Sequence, residues 1–156
     1  MDEKPIDIDA LDERIIAALG ADGRASFKEV ARELGVSDGT VRSRVARLLD
    51  AGLIRVAALR NPFAQSRGLN ALVGMKLEKR THRQTMEQIA ALPGVLSVAN
   101  VAGNYDLIVE VYLPSRDALN TFLFEELAAV DGIQSTETFV LLDAINKWVP
   151  ADPEGR

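Results

Sequence analysis

The sequence predicts an α+β chain of two small domains, a helix-turn-helix unit followed by a ferredoxin-like β-α-β-β-α-β unit. Over residues 8–53 the apolar residues recur at helical spacing. After a linker from Arg60-Asn61-Pro62 to Gly68 the period shortens to that of strands with helices between them. The length of 156 residues suits two small domains, and 47% hydrophobic with 26% charged residues is enough for real cores.

The elements follow in order. Leu11, Ile15, Ile16 and Leu19 make the apolar stripe of a first helix, which Gly20 through Gly23 breaks. Ser26, with Glu29 three residues on, forms the capping box of a second helix carrying Phe27, Val30, Ala31 and Leu34. Gly35 takes the left-handed conformation that ends it, and Ser37 caps a third helix whose buried stripe is Val41, Val45, Leu48 and Leu49. Gly52 closes that helix, and Leu53–Leu59, short, β-branched and apolar, reads as a strand.

In the second domain Ala71–Leu77 is a strand, Thr81 caps a helix running to Leu92, and Pro93-Gly94 stops it. Val95–Val101 is the second strand, Gly103-Asn104-Tyr105 a tight turn, and Leu107–Leu113 the third strand, with Leu107, Val109, Val111 and Leu113 on one face. Ser115 caps a helix carrying Leu119, Phe122, Leu123 and Leu127, Asp131-Gly132 ends it, and Ile133–Leu142 is the fourth strand. A weak repeat supports this order: Leu92-Pro93-Gly94-Val95 and Val130-Asp131-Gly132-Ile133 both stand where a helix hands over to a strand. The expected domains are 1–59, a linker at 60–69, 70–145, and a tail at 146–156 that holds Trp148 and ends in disorder from Ala151.

Composition excludes much chemistry. With no cysteine there is no disulfide, thiolate nucleophile or zinc–thiolate site, and the single histidine, His82, rules out a multi-histidine cage, so neither metal nor cofactor is expected. No apolar run reaches the roughly 18 residues of a membrane span, and Met1-Asp2-Glu3 is no signal-peptide start, so a cytoplasmic protein without a membrane partner is expected. The net charge of −5 argues against a nucleic-acid partner at first sight. Its distribution argues the other way, because Gly39–Arg60 carries Arg42, Arg44, Arg47, Arg55 and Arg60 against only Asp50.

The crossing of two helices in a helix-turn-helix needs a small residue where the backbones meet and a turn residue tolerant of positive φ; Ala31 and Gly35 supply them, and Val41 faces back into the core. The other side of the third helix carries Ser37, Asp38, Thr40, Arg42, Ser43, Arg44 and Arg47. Hydroxyls at a helix N-terminus reach phosphate, and arginines fork onto guanine edges, as in a recognition helix. Charged faces more often only solvate a surface helix, but the alanine, glycine and valine spacing weighs against that alternative. Asp38 would repel phosphate and is read as a second cap.

The strands of the second domain are apolar on both sides, as in Leu107-Ile108-Val109 and Phe139-Val140-Leu141-Leu142, which is more than two short helices bury. Self-association covers the surplus, and a homodimer also presents two recognition helices to two half-sites; the alternative cover is the linker or the tail with Trp148. In the turn Gly103-Asn104-Tyr105-Asp106, backbone N–H groups beside Gly103 suit a carboxylate and Asp106 suits an ammonium group, the two ends of an amino acid. The plainer alternative is a hairpin turn with Asp106 as an ordinary turn acid.

The chain resembles the Lrp/AsnC, or feast/famine, family of transcriptional regulators over about residues 8–145. The resemblance rests on Leu11-Asp12 with Ile15-Ile16, Asp22-Gly23-Arg24-Ala25-Ser26-Phe27, Val41-Arg42-Ser43-Arg44-Val45 with Arg47-Leu48, Ala51-Gly52-Leu53-Ile54, and Gly103-Asn104-Tyr105-Asp106. It implies a winged helix-turn-helix that binds double-stranded DNA, often at the regulator's own promoter. It also implies a ferredoxin-like RAM domain that assembles dimers and larger rings, tetramers or octamers, and binds a small effector, usually an amino acid. By the same match Gly103 and Asp106 lie at the effector pocket, with Val101, Asn104, Tyr105, Ser135, Thr136 and Thr138 as neighbours. The expected protein is therefore a DNA-binding regulator and not an enzyme. Two alternatives share the architecture: a decarboxylase resembling those of sirohaem synthesis, for which only Lys79, Arg80, His82 and Arg83 cluster, and an assembly module without DNA affinity.

Overall fold

A computed structural model describes residues 7–64, 68–78 and 82–152, and divides the chain into two compact units between Ala57 and Ala58. Thr81, Lys79, Arg80 and residues 153–156, about which the sequence raised expectations, lie outside the described residues.

The first unit holds α1 (Ala10–Ala21), α2 (Phe27–Leu34) and α3 (Asp38–Asp50). Each starts on a side-chain cap. Asp9 accepts the N–H groups of Leu11 and Asp12 at 2.9 Å, and Asp12 returns the bond by accepting from the Asp9 N–H at 3.1 Å. Ser26 and Glu29 form the expected reciprocal box, with bonds of 3.2 and 2.8 Å. Ser37 caps α3 by accepting from the Thr40 N–H at 3.1 Å. Gly35, at φ 70°, makes the left-handed turn between α2 and α3. Ile15, Val30, Ala31, Val41 and Val45 close the core, each large apolar side chain contributing about 1.5–3 kcal/mol by leaving water. Leu48 is buried as well, whereas Leu49, expected on the same stripe, is exposed: it stands 100° further round the helix.

The strand expected over Leu53–Leu59 is shorter and later. The N–H groups of Leu53 and Ile54 turn back to the Leu48 carbonyl, and among the described residues no strand is formed before Leu59. Only β1 (Leu59–Arg60) pairs, antiparallel with β6 (Val149–Pro150), and the Ala151 N–H adds a bond of 2.9 Å to the Ala58 carbonyl. This ribbon belongs to the second unit, so Ala151, expected to be disordered, is held in place.

The second unit continues with β2 (Leu69–Leu77), α4 (His82–Ala90), β3 (Val95–Asn100), β4 (Leu107–Leu113), α5 (Arg116–Thr121) and β5 (Ile133–Val140). After α5 the chain runs through a π turn, Phe122–Glu126, and a 3₁₀ turn, Leu127–Ala129. The sheet order is β3-β4-β2-β5 with every neighbour antiparallel, the expected split βαβ arrangement. Gly94 and Gly132, the glycines of the repeat, both take positive φ, 74° and 85°. β5 ends at Val140, two residues early, although the Leu141 N–H still donates to the Asn70 carbonyl at 2.9 Å, one step beyond the Ala71–Val140 pair.

The helix-bearing face is packed by Ala71, Val73, Met75, Leu107, Val109 and Val111 against Ile89, Leu119 and Phe122. The opposite face carries Leu72, Gly74, Ile108, Glu110, Tyr112, Glu137 and Phe139, by the two-residue period of the strands. Part of that face is covered from within the unit: Arg60 lies 4.8 Å over the Tyr112 ring, and Lys147 pairs with Glu110. Trp148, Leu142 and Ile145 stay exposed, the last two at 90% and 92%.

Candidate nucleic-acid interface and effector turn

The buried stripe of α3, Val41, Val45 and Leu48, leaves the opposite side of the helix to solvent. Helical spacing places Gly39, Ser43 and Ala46 along its middle, with Arg42 on one flank and Thr40, Arg44 and Arg47 on the other. At its N-terminus the hydroxyls of Ser37 and Thr40 meet at 2.8 Å.

The three arginines differ in their partners. Arg42 is 66% exposed, reaches Asp38 at 3.3 Å one turn back, and lies 5.5 Å over the Phe27 ring. Asp38 is thus an acid of the first turn paired with Arg42, while Ser37 does the capping. Arg44 and Arg47 turn to α1. Arg44 Nη1 donates to both oxygens of Asp9 at 2.6 Å and to Asp12 Oδ1 at 2.9 Å. Arg47 Nη2 donates to Asp12 Oδ2, and its Nη1 lies 3.4 Å from the Asp7 carbonyl oxygen.

Asp12 is fully buried, at 0% exposure. Burial pushes its carboxyl up, but hydrogen bonds from Arg47, the Asp9 N–H and Arg44 outweigh this and bring it down to about 2. The Arg44 hydrogen bond likewise holds the Asp9 carboxyl below the usual range. Sequence reading missed both acids as partners of α3. The available signal was periodicity: Asp12 falls one position after Leu11 and three before Ile15, on the side of α1 that is otherwise apolar.

The turn between β3 and β4 is built into the end of the sheet. The Val101 N–H donates to the Asp106 carbonyl at 3.0 Å, the Asp106 N–H to the Met75 carbonyl at 2.8 Å, and the Leu77 N–H to Asp106 Oδ2 at 2.9 Å. One carboxylate oxygen of Asp106 thereby holds the end of β2. Gly103 and Asn104 are exposed at the tip, with open space where a Gly103 side chain would stand.

Tyr105 lies on the open sheet face. A Cβ on Gly74 would come within 2.8 Å of three Tyr105 ring atoms, so glycine there is what lets the ring lie flat on the strand. Its edge meets Phe139 at 6.3 Å between centroids, and its hydroxyl donates to Glu137, which raises the phenol pKa. Ser135 shares this face. Thr136 and Thr138 oppose the core residues Met75 and Val73 in the ladder and so point to the other face, away from Tyr105. Gly74 and Glu137 were missed by sequence reading, since only strand register brings them to the turn.

Of the basic cluster of the enzyme alternative, only His82 and Arg83 fall within the described residues. His82 Nδ1 is 2.9 Å from Asn100 Nδ2, and Arg83 pairs with Glu87 at 2.8 Å. Among the described residues no group of acids and histidines is placed to hold a metal ion, and no helix is long and apolar enough to cross a membrane.

A tri-helical helix-turn-helix with an exposed polar α3, joined in one chain to a ferredoxin-like sheet domain, defines a two-domain transcriptional regulator of the DNA-binding, ligand-binding kind. Residues 8–49 match the AsnC-type helix-turn-helix domain and residues 70–147 the Lrp/AsnC ligand binding domain, so the chain belongs to the Lrp/AsnC family. It is 37% identical over 146 residues to an uncharacterised HTH-type transcriptional regulator of Pyrococcus abyssi, covering 93% of this chain and 92% of that one. Among solved structures it is similar to Escherichia coli AsnC, with TM-score 0.67 and 29% identity over 89% of this chain and 95% of that one. It is also similar to the leucine response regulatory protein of Mycobacterium tuberculosis, with TM-score 0.76 and 26% identity over 90% and 96%. The fold class expected from the sequence is the one observed.

Proposed function

We propose that this protein regulates transcription by reading duplex DNA with the exposed side of α3, and that a small effector, an amino acid, tunes the binding through its sheet domain. The observation that carries the reading is the division of α3 into a buried apolar stripe and an exposed side with Arg42, Thr40 and Ser43. Ser37, Thr40, Arg42 and Ser43 make the contacts, Asp38 releases Arg42 to the DNA, and Arg44 and Arg47 fix the helix to α1. The effector site is the turn of Gly103, Asn104, Tyr105 and Asp106, with Val101 and Ser135 beside it and Thr136 and Thr138 behind the sheet edge. The name of the M. tuberculosis relative, which speaks of a response to leucine, supports an amino acid as the effector class. The exposed Leu142, Ile145, Trp148 and Phe139 support assembly into a homodimer, and from there into tetramers or octamers.

Fluorescence anisotropy with a duplex from upstream of the protein's own gene, at several salt concentrations, tests the reading. Arg42→Ala is expected to weaken binding at every salt concentration and to flatten the slope of log K against log salt by about 0.9, the loss of one phosphate contact. Identical curves for variant and wild type would remove α3 from the interface. Adding each of the twenty amino acids should shift the midpoint with one or a few of them. No shift with any would remove the amino-acid effector.

A further inference from the structure

Four charges join α1 to α3. Arg44 and Arg47 face Asp9 and Asp12, so the set has no net charge, and its acidic half comes from 35 residues earlier in the chain. The two acids differ in place. Asp12 is buried beneath the arginines; Asp9 sits at the rim with its side chain 56% exposed, beside the side of α3 that is open to solvent.

We infer that Asp9 is an electrostatic brake on DNA binding: its carboxylate neutralises Arg44, so that only Arg42 of the three α3 arginines presents its charge to phosphate. The inference rests on α3 being the DNA-facing helix. Among the described residues the acid that pairs with Arg42 is Asp38, within its own helix at 3.3 Å and with the two side chains 66% and 45% exposed, and the guanidinium also lies over the Phe27 ring; a phosphate displaces so exposed an ion pair readily. Arg44 instead has two carboxylates within 2.9 Å, and a phosphate would have to compete with both. Removing the Asp9 charge takes the cluster from neutral to one net positive charge, whichever arginine then carries it.

Asp9→Asn isolates the charge. Asparagine caps a helix as well as aspartate, so the bonds from the Leu11 and Asp12 N–H groups are kept. The assay is anisotropy of the full chain with a fluorescein-labelled duplex of random sequence between 50 and 200 mM KCl. One more phosphate contact steepens the slope of log K against log salt by about 0.9 per protomer. That is about 3.5-fold more affinity lost per protomer across this range, with tighter binding at the low-salt end. Arg42→Gln should flatten the slope by the same amount, and Arg44→Gln by clearly less. A wild-type slope for Asp9→Asn, or equal flattening by Arg44→Gln and Arg42→Gln, would overturn the brake while leaving α3 on the DNA. A wild-type protein that binds no duplex even at 50 mM would overturn the DNA-facing reading of α3 and the brake with it.

Discussion

Replacing Asp12 with alanine removes the acceptor shared by two guanidinium groups and one side of the α1 capping box. Breaking a buried ion pair by deleting one partner costs about 3–5 kcal/mol, because the other charge is left without compensation. Here the stranded arginines keep 28% and 45% side-chain exposure, so water offsets part of that loss, and the expected destabilisation is about 2–3 kcal/mol. For a unit of this size that is a fall of roughly 10–20 °C in melting temperature. Denaturation of the full chain, with amide hydrogen exchange followed separately in α1–α3 and in the sheet, reads the loss unit by unit. Acid gives an independent check. The Asp12 carboxyl lies at about 2 in the folded chain, below its ordinary 3.8. A depressed acid stabilises in full above its unfolded value and loses that contribution as pH falls through the folded one. The gap between wild type and Asp12→Ala should therefore be full above about pH 4 and shrink between about pH 4 and 2. A loss under about 0.5 kcal/mol at neutral pH, or a gap that does not change with acid, would refute the clamp.

Three further substitutions test the sheet domain. Gly74→Ala puts a methyl group 2.8 Å from the Tyr105 ring and must lift it, breaking its bond to Glu137; the tyrosine absorbance titration should then move toward lower pH, because the Glu137 bond is what raises the phenol, and an unmoved titration would show that the ring had not left. Phe122 and Phe124 stand two residues apart in the π turn, one fully buried and the other 76% exposed. Phe122→Ala should cost about 3–5 kcal/mol and Phe124→Ala less than about 0.5, measured by urea denaturation, and equal costs would contradict this packing.

The helices of the first unit were legible because their signals are local. Ser26 with Glu29, Gly35 and Ser37 act within three or four residues of their own position, and each does in the structure what its spacing predicts. The β-α-β-β-α-β order followed from the succession of strand and helix periods and from the repeat of Leu92-Pro93-Gly94-Val95 in Val130-Asp131-Gly132-Ile133, and the alternation of Leu107, Val109, Val111 and Leu113 marked the buried face of one strand. What failed was non-local. Leu53–Leu59 has strand composition, but a strand needs a partner, and only Leu59–Arg60 finds one, ninety residues away at Val149–Pro150. The three arginines of α3 look alike in sequence and differ only because α1 brings two acids against Arg44 and Arg47 and none against Arg42. Thr136 and Thr138, expected beside the effector turn, are turned from Tyr105 by register, which a single strand read alone does not reveal.

The local capping of all three helices in the first unit has a kinetic consequence. Helices that close their own ends and pack on near neighbours form with little loop entropy, on the microsecond to millisecond scale. The sheet of the second unit waits for pairings such as Ala71 with Val140, roughly seventy residues apart, and sheets of this kind form more slowly. During synthesis, at about 5–20 residues per second, β5 leaves the ribosome several seconds after α3 is complete. The helical unit, α3 included, is then already folded while the sheet unit still lacks β5, so any contact that needs the complete sheet forms only after α1–α3 have folded.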